Sequence, residues 1–418
     1  MKKVWLLILL FAGVVLLAGC LETNTPTETP VIETPDVTQE IEFSATIEVY
    51  DLEDTLIFTE TIEFLENDSR TTIEIIEEQI DFVYAIFDIG VFVYGVGGFF
   101  PTEYGVSFNY WLSLYINDVS SNTGIEDVVL EDGMVISFKE QTMLDLTDQA
   151  VDRLIYAFIE NHLETYINDT YIHHDVLAAI VKLSLMGYET PQLSTLVDSE
   201  ALDAYLVTLE SEAIGQTFKK AIIETAFGID ILDTKTTLEA MAPSNLYDAT
   251  SLLNALFVVR SESLLIGQIH EQLLEDLPEF MDPDYAGMLL VALAPYTDTS
   301  QDVVSDMFSF IQTQQSSQGI VSWGNANAAS TAAVILGLIA HGENPRDASY
   351  AVEDVDLIEA LLLYETNAAF YWLLDDAEAD MNFSTPQAFA ALVAYKLYRD
   401  VWENPPVYLY DLIDLGNA

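Results

Sequence analysis

Between residues 41 and 66 apolar and polar side chains alternate, with Ile41, Phe43, Ala45, Ile47 and Val49 on one face and Leu56, Phe58, Thr59 and Ile62 after a polar turn. A period of two sends successive side chains to opposite faces, so this stretch predicts a pair of strands. Asn67, Asp68 and Ser69 then offer a helix cap, and Ile73, Ile76 and Ile80, three and four apart, predict one short amphipathic helix. Strand character returns at 82–87, 91–94, 109–116 and 135–138, which are aromatic and β-branched and are punctuated by Gly95, Gly97, Gly98, Gly105, Gly124 and Gly133. The expectation for residues 41–142 is a small β-rich, β-grasp-like domain.

After Asp145 the apolar period changes to 3.6 and holds almost to the end, in helix-sized segments separated by Gly, Pro, Asn and Asp. A loose repeat runs through this region, each copy passing from a polar start into an alanine- and leucine-rich helix. The copies begin at Asp175, Asp248, Asp284, Ser330 and Ser384. Helix pairs whose small-residue members pack inside close into a ring, so residues 143–418 are expected to form an all-α α/α toroid. The fold class is therefore multidomain α+β, sheet first and toroid second.

The first residues read differently. Lys2 and Lys3 precede an apolar run from Val4 to Leu17, short for a membrane span but matched to a secretory signal. Leu17-Ala18-Gly19-Cys20 resembles the lipobox of bacterial lipoproteins, which implies cleavage before Cys20 and a diacylglycerol on its thiol. Residues 1–20 are thus expected to be signal peptide and lipobox. Residues 21–40, rich in Thr, Pro and Glu, form a semi-extended spacer. The expected location is the extracytoplasmic face of the cell envelope, held to the membrane by the lipid.

Cys20 is the chain's single cysteine. Disulfides, thiolate zinc sites and cysteine nucleophiles in the folded body are excluded with it. Losing residues 1–19 removes two of the 13 basic residues and none of the 69 acidic ones, moving the formal charge from −56 to −58. Such a surface repels nucleic acid. It also attracts cations, although no EF-hand spacing of oxygen ligands is present.

Residues 90–141, with Tyr110-Trp111, Tyr115 to Asp118 and Leu130 to Ile136, resemble the transcobalamin-like domain of bacterial surface proteins. The helical part, with Ala292 to Tyr296, Gln318 to Asn325, Ser330-Thr331 and Ser384 to Gln387, resembles the α6/α6 barrel shared by terpenoid cyclases, prenyltransferases, complement thioester domains and cobalamin carriers. The carriers combine both parts, in the reverse order. This resemblance implies a non-catalytic binder that holds cobalamin or another corrinoid between the two domains. The implied contacts are Asp175, Asp248, Asp284, Tyr285, Asn325, Thr331 and Gln387 at the toroid mouth. Trp323, Phe370, Trp372 and Tyr395 are candidates for the wall, and Phe99, Phe100, Tyr110 and Trp111 for the sheet side.

Enzyme chemistry lacks its motifs. The Asp-x-Asp-Asp element of proton-initiated cyclases is missing, and Asp375 to Asp380 has the wrong spacing for magnesium binding and is expected to be a solvated acidic loop. His173-His174 beside Asp175 is the best metal candidate, but neighbouring helical residues point apart, so no metal site and no catalytic residue is assigned. Alternatives are a surface adhesion module, with a surface protein or a transporter as partner, and a glycan-acting barrel, which needs two carboxylates across a cleft.

Overall fold

The computed structural model describes residues 42–87, 90–103, 108–209, 213–275, 277, 281–401 and 403–412. Cys20, the spacer and Ile41 lie outside these residues. Among the described residues no helix is long and apolar enough to cross a membrane.

In the β-rich region, strands β1 (Glu42–Tyr50) and β2 (Leu56–Leu65) pair antiparallel, as the alternation predicts. Ala45, Ile47, Val49, Ile62 and Phe64 are buried on the shared face. Helix α1 (Thr72–Glu77) is capped by Thr71 in a capping box with Glu74, not by the expected 67–69 triplet. Asp68 instead pairs with Arg70. The chain continues through β3 (Phe82–Phe87), β4 (Gly90–Val96), β5 (Tyr110–Ile116), β6 (Val119–Ser120) and β7 (Met134–Thr142). The main sheet has the order β2-β1-β7-β5-β6, with β1 and β7 parallel at its centre, and β3-β4 form a separate hairpin. Ile73, Ile75 and Ile76 of α1 join the core of this sheet, the β-grasp-like arrangement expected.

The helical region begins with α2 (Leu146–Asn161), capped by Asp145. It continues through α3 (Leu163–Tyr166), α4 (His174–Leu185), α5 (Leu193–Leu196), α6 (Ser199–Thr208), α7 (Ile214–Ala226), α8 (Leu232–Glu239), α9 (Leu246–Val258), α10 (Leu265–Glu275), α11 (Pro283–Leu293), α12 (Thr297–Thr313), α13 (Ala328–Ala340), α14 (Leu357–Leu362) and α15 (Ser384–Asp400). Helices α4, α7, α9, α11, α13 and α15 touch in that order, and α15 returns to α4, which closes a ring. Outside it α2 packs on α15, α8 on α7 and α9, α10 on α9, α12 on α11, and α14 on α13.

All five sequence repeats fall on ring helices. These are buried on nearly every side, because they face both the ring axis and the outer layer. Helices α11 and α13 approach closely. A Cβ built on Gly287 would lie 2.4 Å from Ala333 O, and one on Gly337 2.9 Å from Gly287 O, so glycine lets the two backbones meet.

The region is not purely helical. Two-residue strand pairs precede α4 (Ile167–Asn168 with Tyr171–Ile172), α14 (Ala351–Val352 with Val355–Asp356) and α15 (Glu365–Thr366 with Ala369–Phe370), and a three-stranded version precedes α13. These hairpins lead the chain into three of the six ring helices, α4, α13 and α15, and into the outer helix α14.

The two regions meet on a buried ionic cluster. Lys396 and Arg399 in the last turns of α15 face Asp152 of α2, Asp400, and Glu103 from the β-rich region. Tyr110 donates to Asp152 at 2.8 Å and Asn109 to Asp400 at 2.9 Å. Desolvation works against the Lys396 charge, but Asp152, Glu103 and Asp400 outweigh it and hold its pKa up.

Candidate functional site

The ring helices enclose a hollow that is lined mainly from their N-terminal halves. The outer part, about 560 Å³, is lined by Asp284 and Met288 of α11, Ala329 and Ala333 of α13, Trp372, Asp376, Asp380 and Phe383 from the segment before α15, and Gln387. The inner part, about 310 Å³, takes residues from all six ring helices: His174 and Asp175, Gly215 and Phe218, Ser251 and Asn254, Gly287 and Val291, Ala333 and Leu336, and Gln387. The two parts adjoin at Met288, Ala333 and Gln387, which line both.

The far end of the ring is closed by the chain's own C-terminal segment. Val407 N donates to Ile339 O and Lys182 Nζ to Asp411 O, near the C-terminal ends of α13 and α4. Tyr408 reaches up to donate to Asn254 Oδ1 at 2.7 Å, and Tyr410 to Asp175 Oδ1 at 2.8 Å. Tyr410 therefore forms a floor of the inner hollow, with Tyr408 behind Asn254, and the outer part opens beside the starts of α11, α13 and α15.

Polar groups are placed unevenly in it. Gln387 Oε1 is buried without a hydrogen-bond partner. Burial, with Asp282 nearby, raises the Asp284 pKa despite a hydrogen bond from Ser330. Burial also works against ionised Asp380, but hydrogen bonds from Ser384 and from the Asn382 and Phe383 N–H groups outweigh it and lower its pKa. The loop Asp375 to Asp380, expected to be merely solvated, thus fastens the start of α15 and supplies two lining residues, Asp376 and Asp380. The spacing of Asp380 from Ser384, an acid just ahead of a helix start, was the available signal.

His173 and His174 do not point apart. His173 is the N-cap of α4, with φ −84° and ψ 120°, so the helical rotation between neighbours starts only at His174. Their rings stack, with centroids 5.3 Å apart and planes 18° from parallel. Burial pushes the His173 pKa down to about 4.

Of the residues named from sequence, the hollow brings together Asp175, Asp284, Gln387 and Trp372. Asp248 instead accepts from Ser244 and Asn245 at the exposed start of α9. Tyr285 is buried with its ring against Tyr247. Thr331 fixes the strands before α13, accepting from Ile320 N at 3.0 Å and donating to Asn327 O at 2.7 Å. Trp323, 90% exposed, and Asn325 lie at the turn of that hairpin. Phe370 is in the core, and Tyr395 donates to Asp148.

The sheet-side residues do not join the hollow. Phe99 packs into its own sheet core, Phe100 lies over Gly95, and Trp111 Nε1 donates to Ser113. Tyr110 is committed to Asp152 in the junction, which sits near Lys396, roughly 14 Å along α15 from Gln387 at 1.5 Å per residue. No described residue of the β-rich region lines either part of the hollow.

No family model matches the chain, and no curated protein matches it. Among solved structures the chain is similar to one described as a "putative metal binding protein" from Ruminococcus gnavus, at 16% identity and a TM-score of 0.20, covering 24% of this chain and 99% of that one. At that score the likeness carries no argument about fold or function.

Proposed function

We propose that this protein is an envelope-anchored, non-catalytic binding protein that takes a small ligand into the axial hollow of its helical ring. The observation that carries this reading is the inner hollow itself. All six ring helices line it, and it holds a buried, unpartnered Gln387 Oε1 where it meets the outer mouth. A buried acceptor without a partner costs stability unless something donates to it, and at the edge of a hollow a bound ligand can supply that donor.

The lining sets the ligand's chemistry. Met288, Trp372 and Phe383 offer apolar and aromatic surface, while Gln387, Asp284 and Asp376 offer acceptors. A compact molecule with an apolar face and amide, hydroxyl or amine donors fits this set. The resemblance to cobalamin carriers supports a binding role for the transcobalamin-like region and the α6/α6 barrel. The corrinoid it implies needs the sheet to cover the mouth, and that contact is replaced by the junction at Lys396. A smaller ligand is therefore favoured, and cyanocobalamin becomes one arm of the test.

Asp284 and Asp380 share the hollow with opposite pKa shifts, which is how a glycan-acting acid and base are set up. Yet Asp380 spends both oxygens on the start of α15, so activating a water there would unfasten that helix. Binding is the better reading. Titrating the mature lipidated chain in detergent with a panel of small amides, amines and sugars, and with cyanocobalamin, while following tryptophan fluorescence, tests it. A saturable change from Trp372 supports the proposal.

A further inference from the structure

We propose that His173, His174 and Asp175 hold a first-row divalent cation, with Zn²⁺ the best fit, at the edge of the inner hollow. One ring nitrogen of each histidine and one carboxylate oxygen of Asp175 all lie within 4.8 Å of one another. A tetrahedral ion bonded at about 2.1 Å keeps its donors about 3.4 Å apart, so small side-chain rotations close the set. His174 Nε2 and Asp175 Oδ1 are already at 3.4 Å.

Three features point to a ligand rather than to packing. His173 Nδ1 is buried with no hydrogen-bond partner. The two rings are held side by side, because the first histidine caps the helix and the second begins it. Asp175 Oδ1 accepts from the Tyr410 hydroxyl at 2.8 Å, the outer hydrogen bond that orients a coordinating carboxylate. Lys219, the nearby cation, is drawn over the rings of Tyr171 and Tyr205 and stays out of the set.

Two imidazoles and one carboxylate select zinc and its neighbours over calcium or magnesium, which prefer all-oxygen sites. Three protein ligands leave a coordination position open, and His174 and Asp175 both line the inner hollow, so that position faces it. The acidic surface raises the local concentration of cations. This site is independent of whether the hollow also takes an organic ligand.

The test is a competition titration of the mature chain, in detergent and stripped by a chelator, against a chromophoric zinc indicator. The expected result is one equivalent of tightly held Zn²⁺, undisturbed by excess Ca²⁺, and visible absorption bands on substitution with Co²⁺. His174→Ala and Asp175→Asn weaken binding by about tenfold or more, whereas His162→Ala and His270→Ala leave it unchanged. Modification by diethyl pyrocarbonate, mapped by peptide mass spectrometry in the unaltered protein, needs no variant to fold. Zn²⁺ protects His173 and His174 but not His162. Absence of a stoichiometric zinc, equal binding by the His173→Ala/His174→Ala double variant, or unprotected His173 and His174 in zinc-loaded protein overturns the proposal.

Discussion

Lys396 Nζ lies 3.0 Å from Asp152 Oδ1, with both side chains sealed from solvent, so α15 and α2 are joined by a buried ion pair where Glu103 of the β-rich region arrives. Breaking such a cluster from one side leaves charges without compensation. Lys396→Met takes the lysine charge from beside Glu103 and leaves Asp152 and Asp400 to Arg399 alone, and is expected to cost about 3–5 kcal/mol. Chemical denaturation, followed by circular dichroism and tyrosine fluorescence, measures it. The two regions unfold together in the unaltered chain and in separate steps in the variant.

The same cluster sets a pH dependence. Two cations, Lys396 and Arg399, face three carboxylates, and burial raises the Glu103 pKa against the pull of Lys396. A group whose folded pKa lies above its unfolded 4.5 contributes its stability below that value and loses it as pH rises through the folded pKa. Glu103→Gln removes the surplus charge and keeps an oxygen for Lys396. It is expected to raise the melting temperature at pH 8, with the gain shrinking toward pH 4. A difference that does not change with pH contradicts this account.

Gly287 and Gly337 bring α11 and α13 into backbone contact, so adding a methyl at Gly287 forces the pair apart. Gly287→Ala should destabilise by about 1–3 kcal/mol despite the better helix propensity of alanine. Gly267 in α10 has open space around its Cβ position, and Gly267→Ala should stabilise by up to about 1 kcal/mol. Denaturant midpoints of the two variants are expected to move in opposite directions.

Thr331 and Thr385 occupy equivalent places on α13 and α15, each accepting from the backbone of the strand pair that precedes its helix, at Ile320 N and Phe370 N. Replacing either by valine keeps the shape and leaves a buried N–H unsatisfied, at about 1–3 kcal/mol. Hydrogen exchange should accelerate first at Ile320 or Phe370, ahead of global unfolding.

The order of sheet and helical ring was legible because period two and period 3.6 occupy separate stretches of chain. Five of the six ring helices carried a readable repeat. The sixth, α7, begins after Ala213 with no side-chain cap and shows Gln216, Lys219 and Lys220, so it reads as an ordinary surface helix. Its buried face, Ile214, Phe218, Ala221 and Ile222, becomes meaningful only once the ring closes.

The site was read less well, for a physical reason. Polar residues at helix starts serve as caps, hairpin ties or ligand contacts with the same sequence appearance. Asp248 and Thr331 went to the local structure, while Asp175 and Gln387 face the hollow. The junction at Lys396 had no sequence signal, since its members Glu103, Asp152, Lys396 and Arg399 are scattered along the chain and meet only on docking.

The central claim is that the hollow at the ring's mouth receives a ligand. Ala333 lines both of its parts, and Ala333→Phe fills the passage between them without touching the junction or the floor. Ligand-observed NMR on the mature chain, using a panel of small amides, amines and sugars together with cyanocobalamin, is the most direct measurement. Saturable binding of at least one compound to the unaltered protein is expected, and its loss in Ala333→Phe with folding retained. Binding that survives this substitution, or none by the unaltered protein at millimolar concentration, would contradict that claim.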